Sequence, residues 1–378
     1  MKVQEKYRVL DYRNVKELGL NTISGYKRSD VTKTLMNTFK TGLIENACYW
    51  SAELISSGKI KELQDIIIQF TSKNININNP NLPFHLWNII KNINNNFDLN
   101  DKDILNLRNN QEIRNIFCEL VVIMCTSTKN EIIPLIPIKE YEFEIDFFRE
   151  KLKATDYNLI NDIIEGGDPS EMSMIANELY YNLHNNNLQN SNYWLSWIIE
   201  WEKINIKKTK GYRCANRYKY TKIDKYATDV IWLICDILLN EVTKYRSKEK
   251  QVNVISLINI FRQNFTSNNK YKKLFLISHA ILIIISEINF DVSVYKSYPI
   301  ILQASCNINF IYQNIKTQKE VIKSEELYNE DNFINKKSET NVEIFKKQEK
   351  NLPKKKKKGE ISSKSLNKLL LLKEIDQY

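Results

Sequence analysis

The residues with chemistry to offer are few and scattered. His85, His184 and His279 lie far apart, none sits in an H-x-x-x-H or H-E-x-x-H spacing, and no Asp/Glu cluster has metal-ligand spacing. Cysteines 48, 118, 125, 214, 235 and 306 form no C-x-x-C pair and have mostly apolar or helical neighbours, so they read as reduced core thiols. Asp224 with Asp229, or Glu165 with Asp168, are the acids closest to a general acid/base pairing, but capping and surface charge explain them better. No G-x-S-x-G, kinase-type or dinucleotide-binding fingerprint is present. The expectation is a protein with no catalytic residue, no metal site and no cofactor, hence not an enzyme.

A second chemistry is better represented. Lys207, Lys208, Lys210, Arg213, Arg217, Lys219, Lys222 and Lys225 are interleaved with Tyr212, Tyr218 and Tyr220. Cations neutralise phosphates and tyrosines stack on bases, so Tyr218 and its basic neighbours are a candidate nucleic-acid contact; a solvated basic loop is the alternative. Lys354, Lys355, Lys356, Lys357 and Lys358 supply half of the formal net charge of +10. Such a run fits non-specific nucleic-acid tethering, nuclear import or a solubilising tail, and all three stay open. Beyond it, Leu366, Leu369, Leu370 and Leu371 suit a short amphipathic helix that docks on a partner.

The elements carrying these residues read as helices. The 8 Gly and 7 Pro are about 4% of the chain against roughly 12% in average proteins, too few for a fold rich in hairpins or phosphate loops. Hydrophobic content of 43% and aromatic content of 11% promise a packed core. Helical spacing predicts helices from Ser29 or Asp30 to Gly42, over 43–57, 60–70, 84–93 and 111–126, then 169–184 with Asp168 as cap, 192–204, 224–243, 252–265 and 272–288. Pro134 and Pro137 mark a connector. The expected organisation is an extended arm at 1–28, a helical domain at 29–150, a second at 151–312, and a mobile charged tail at 313–378: an all-α protein of two helical domains. The longest apolar run, Leu274 to Ile285, is too short to span a bilayer, and the N-terminus shows no signal-peptide core.

The residues Ala47, Tyr49, Trp50, Ala52 and Gly58, followed by Ser72, Asn79 and Pro80, carry a resemblance. They fit "A-x-Y-W-x-A-x-x-x-x-x-G" and a later helix ending in N-P, and the segment resembles the start of the C-terminal oligomerisation domain of the replication-associated recombination protein A family. That family includes the Werner-helicase-interacting proteins, and its C-terminal domain is related to the helical collar of clamp loaders. Cys125 to Asn130 is loosely similar to a further helix end of that domain. The likeness covers roughly 100 residues. It implies a collar-like first domain in which Tyr49, Trp50, Leu54 and Gly58 serve packing or oligomerisation. The family's ATPase module is not matched, since no Gly is followed by Lys-Ser or Lys-Thr.

Together these features lead to the expectation of a non-catalytic, oligomerising accessory or scaffold factor in DNA replication, repair or recombination, binding protein partners and nucleic-acid backbone. The alternative is a virion-associated structural protein whose tail touches genome, and the Asn-, Ile- and Lys-rich composition suits the AT-rich genome of a large DNA virus. A homo-oligomer or larger protein assembly, no membrane partner, and a cytoplasmic or nuclear site complete the expectation.

Overall fold

A computed structural model describes residues 3–11, 13–99, 102–209 and 213–315. Lys210, Tyr212, Lys354 to Lys358 and Leu366 to Leu371 lie outside those residues, as does the expected tail from 316 onward. The α-helices are α1 (Val15–Leu18), α2 (Arg28–Thr41), α3 (Ile44–Ser56), α4 (Ile60–Phe70), α5 (Leu82–Asn96), α6 (Gln111–Thr126) and α7 (Ile145–Lys151). They continue as α8 (Ser170–His184), α9 (Leu188–Thr209), α10 (Asp224–Ala227), α11 (Ile231–Tyr245), α12 (Lys248–Arg262), α13 (Lys270–Ile285) and α14 (Tyr298–Gln313). Among the described residues there is no β-strand, only an isolated bridge between Asn21 and Lys27. The fold is all-α.

The chain forms two compact units from interleaved segments. The first takes residues up to Ile67, Ile93–Ser127 and those from Tyr295; the second takes Ile68–Asn92 and Thr128–Val294. A single cut near residue 150 does not separate them, and α14, not among the expected helices, belongs to the first.

In the first unit α3 is the hub. Every residue from Ala47 to Ser56 is buried, so beyond its first turn this helix has no solvent face, and α2, α6 and α14 pack around it. Trp50 meets Tyr49 and Tyr26 edge-on at 5.1 and 5.4 Å. Glu53, fully buried, accepts from the Ser24 N–H and hydroxyl at 2.9 Å each. Gly58 turns the chain with φ +70°, and a Cβ there would meet Val15, Leu105 and Ile104 at 3.0 to 3.3 Å. The resemblance residues Tyr49, Trp50, Leu54 and Gly58 are thus interior packing positions.

The N-terminal segment departs from the expected extended arm. Val3, Val9, Leu18 and Ile23 are buried, and Asn14 and Glu17 form a reciprocal capping box on α1. Three side chains from farther along the chain hold its backbone: Arg108 donates to Asp11 O at 2.6 Å, Arg114 to Tyr7 O at 3.1 Å, and Asn109 both accepts from and donates to Val9. These bonds span about a hundred residues of sequence, so local periodicity carries no trace of them.

The second unit is built from packed neighbours in sequence: α8 with α9, α11 with α12, and α12 with α13. Trp194, Trp197 and Trp232 are its largest fully buried side chains. Asn side chains tie down its connections, as Asn81 donates to Phe290 and Val292 carbonyls and Asn177 brackets Asp156 and Leu159. The apolar run inside α13 is the buried centre of this unit. Among the described residues no helix is long and apolar enough to cross a membrane.

Two outcomes test this packing. Gly58→Ala forces an L side chain into a left-handed conformation and a filled contact, so denaturant unfolding should show stability lower by about 1–3 kcal/mol. His279 is fully buried, and burial pushes its ring down to about 3. The unfolded ring takes its proton below about pH 6.5 while the folded ring stays neutral. Stability from this group is therefore complete above pH 6.5 and falls toward pH 3. Relative to His279→Leu, wild type should lose about 1.4 kcal/mol per pH unit in that window.

Candidate nucleic-acid interface

Residues 213–223, between α9 and α10 in the second unit, form one irregular segment, and Lys225 follows in the first turn of α10. Its backbone is tied to the end of α10 by Cys214 N–H to Thr228 O and Arg217 N–H to Ala227 O, both 2.9 Å. Its interior is held by one guanidinium. Arg217 donates through both terminal nitrogens to Asp168, at 2.8 and 2.7 Å, and through Nε to Asp236 at 2.7 Å. Asp236 also accepts from the Tyr220 hydroxyl at 2.6 Å, and the Tyr220 ring stacks on Trp232 at 4.9 Å.

Arg217 therefore corrects a sequence expectation. It is 2% exposed, with its donors committed to two carboxylates and the Ala215 carbonyl, so it supports the segment from inside instead of facing a phosphate. Asp168 corrects another, because α8 starts at Ser170 with no side-chain cap. Its carboxylate takes the Glu165 and Ala215 N–H groups and Arg217. Burial works to raise the Asp168 carboxyl, but the Arg217 hydrogen bonds and these amides outweigh it and hold it below the usual range.

A second buried charge cluster lies at the same end of the unit. Lys270, fully buried, pairs with Asp229 at 2.8 Å and with Glu202. Asp229 further accepts from Ser267 Oγ and the Ile231 N–H, each at 3.2 Å. That second bond explains why the expected helix 224–243 is split into α10 and α11. Burial, then the neighbouring Asp229, pushes Glu202 up to about 7 against the pull of Lys270. The Lys270 ammonium is held above its ordinary value, because the two carboxylates overcome the desolvation that would lower it.

The outer face of the segment, with the first turn of α10, presents Arg213, Lys219, Lys222 and Lys225, with Tyr218 45% exposed. The Lys219 side chain is 60% exposed and still reaches Asp236 at 2.7 Å. Lys207 and Lys208 fall on the last turn of α9. The acid pairs weighed from sequence do not form a cleft: Asp168 and Asp229 belong to the two separate clusters, while Asp224 and Glu165 are exposed. His184 approaches Glu241 at 3.2 Å, and Glu241 is also paired with Arg246. Among the described residues no group of three or more His, Cys, Asp or Glu side chains could hold a metal ion.

Asp236, Glu202 and Lys270 were not singled out as site residues by spacing. Asp236 alone leaves a trace, as the one carboxylate inside the apolar stretch Val230 to Leu239. No protein-family model, curated protein or solved structure matches this chain.

The arrangement predicts a sharp contrast between inner and outer cations. Arg217→Ala leaves Asp168 buried without its cation and Asp236 with Lys219 alone, so chemical denaturation should show stability lower by about 3–5 kcal/mol. Arg217→Lys should recover little, since a point charge cannot replace the bidentate fork. Lys222→Ala should stay within about 0.5 kcal/mol of wild type.

Proposed function

We propose that this protein is a non-catalytic, oligomerising scaffold that holds nucleic-acid backbone, acting as an accessory factor in DNA replication, repair or recombination. The observation that carries the reading is the mounting of Arg213, Tyr218, Lys219, Lys222 and Lys225 on a segment anchored from within by Arg217. Exposed cations on a fixed frame lose less conformational freedom on meeting phosphates than the same residues on a floppy loop. Tyr218 adds a flat face beside them for a base or sugar. The Lys354–Lys358 run supplies further phosphate contacts without sequence preference.

The collar-type signature bears on the oligomer only indirectly. Tyr49, Trp50, Leu54 and Gly58 are consumed by packing inside the first unit, so a multimer would form through other surfaces.

Fluorescence anisotropy with a labelled DNA duplex between 50 and 200 mM salt tests the reading. Replacing Arg213, Lys219, Lys222 and Lys225 together by Ala should reduce the slope of log K against log salt by up to about 3.6, at about 0.9 for each phosphate no longer neutralised. Replacing Lys354–Lys358 by Ala should lower it separately. Binding unchanged by the first set would sink the interface, and a strict monomer in light scattering would sink the oligomerising part.

A further inference from the structure

The last described helix, α14, has the sequence YPIILQASCNINFIYQ and carries no charged side chain in its sixteen residues, although 26% of the chain is charged. Its inner side buries Ile301, Ile308 and Tyr312 in the first unit. Its outer side presents Pro299, Leu302, Gln303, Cys306, Phe310 and Gln313, which fall on one face at helical spacing. Leu302 is 51% and Phe310 53% exposed. An uncharged helix face with large apolar side chains has the composition of an interface core.

The order of residues along this face is symmetric. Leu302 and Phe310 stand four residues to either side of Cys306, and Pro299 and Gln313 seven. Turned end for end about Cys306, the face sets Leu302 against Phe310, Phe310 against Leu302, and Cys306 against itself. An isologous two-fold contact requires this pattern, because each residue must meet a partner from the same patch.

We infer that the outer face of α14 is a dimer seam, in which α14 of one copy packs antiparallel on α14 of a second copy with the two-fold axis at Cys306. The inference rests on the oligomerising part of the proposed function and names the surface it uses. Charge selects this occupant. A two-fold contact brings any charge near its axis close to its own copy, and this face carries none. Charge also selects the direction. Lys296, exposed just before α14, would approach Lys296 of the second copy in a parallel pair. The antiparallel pair sets them roughly 30 Å apart, well beyond the Debye length of about 8 Å in physiological salt. Opposed helix dipoles act in the same sense.

The available area suits a weak, reversible dimer. Half the lateral surface of a helix about 24 Å long and about 12 Å across is roughly 450 Å2, against about 800 Å2 per partner in a standard interface. Part of the remainder lies beside Phe310, where α14 and the first turns of α3 form a cleft of about 400 Å3 lined by Ile44, Cys48, Ile300 and Ala304 among others. The antiparallel register brings Leu302 of the second copy to the Phe310 side of that cleft.

Sedimentation equilibrium on the full chain, without nucleic acid, tests the inference. Wild type should show a reversible monomer–dimer equilibrium in the micromolar range. Leu302→Arg with Phe310→Arg should weaken it about a hundredfold or more, since like charges then face each other twice. Leu302→Arg with Phe310→Glu should stay within about tenfold of wild type, since the antiparallel register sets each new cation opposite a new anion. Cys306→Arg and Cys306→Glu should each weaken self-association, and their equimolar mixture should recover it. All three positions are exposed, so helix content by circular dichroism should not change; the Cys306 exchange decides the matter if either double variant loses helix. Wild type that stays monomeric at millimolar concentration overturns the inference together with the oligomerising reading. Self-association that survives Leu302→Arg with Phe310→Arg overturns the inference and leaves that reading standing. Equal loss in the two double variants overturns the antiparallel seam.

Discussion

Arg217 between Asp168 and Asp236 is the interaction on which the candidate interface depends. A guanidinium taken out of water costs several kcal/mol, and that cost is offset only when its donors meet carboxylates in good geometry. Here one fork meets both oxygens of Asp168 and the remaining edge meets Asp236, so a planar group links the turn before α8 to the middle of α11. The irregular segment 213–223 has few backbone bonds of its own. Its shape comes from being wrapped on that cation and on the Tyr220 ring against Trp232.

Three of the cations buried among the described residues, Arg217, Lys270 and Arg114, are handled in three ways, and the differences explain what each can do. Arg217 meets two carboxylates, one of which also takes Lys219, so the charges balance; it holds its proton more firmly than a free guanidinium and is a fixed strut. Lys270 shares its charge with Glu202 and Asp229, one carboxylate more than charge balance needs, and Glu202 answers by titrating near neutrality. Arg114, in the first unit, is served by the Arg108 and Tyr7 carbonyls and the Asn109 and Asn309 side chains, and lies 3.9 Å over the Tyr312 ring. Burial without a carboxylate lowers it to about 10. It stays charged at neutral pH and ties the N-terminal segment to α6 and α14.

Local chemistry was legible in the sequence wherever it determined the outcome. The scarcity of Gly and Pro and the helical spacing of Ile60, Leu63, Ile67 and Phe70 foretell α4, and Gln111 to Thr126 matches α6 residue for residue. Long-range pairing was not legible. Asp168 looks like a helix cap because Pro169 and Ser170 follow it, but its partner lies 49 residues on. Arg217 looks like a phosphate contact for the same reason, since composition records charge and not the side of the backbone on which it falls. The residues 3–27 look extended because Arg108, Asn109 and Arg114, which order them, lie some hundred residues away.

Counting basic residues overstates the charge available to a polyanion, and the structure shows by what mechanism. Of the cations between Lys207 and Lys225, Arg217 is withdrawn into the core and Lys219 is shared with Asp236. The withdrawn charge makes the rest useful, because a rigid inner ion pair sets where Arg213, Lys222 and Lys225 stand. Removing an outer lysine deletes one exposed charge, whereas removing the inner arginine takes away the cation on which the segment is wrapped. On the proposed nucleic-acid reading, affinity and salt dependence belong to the outer residues, and their geometry belongs to the inner one.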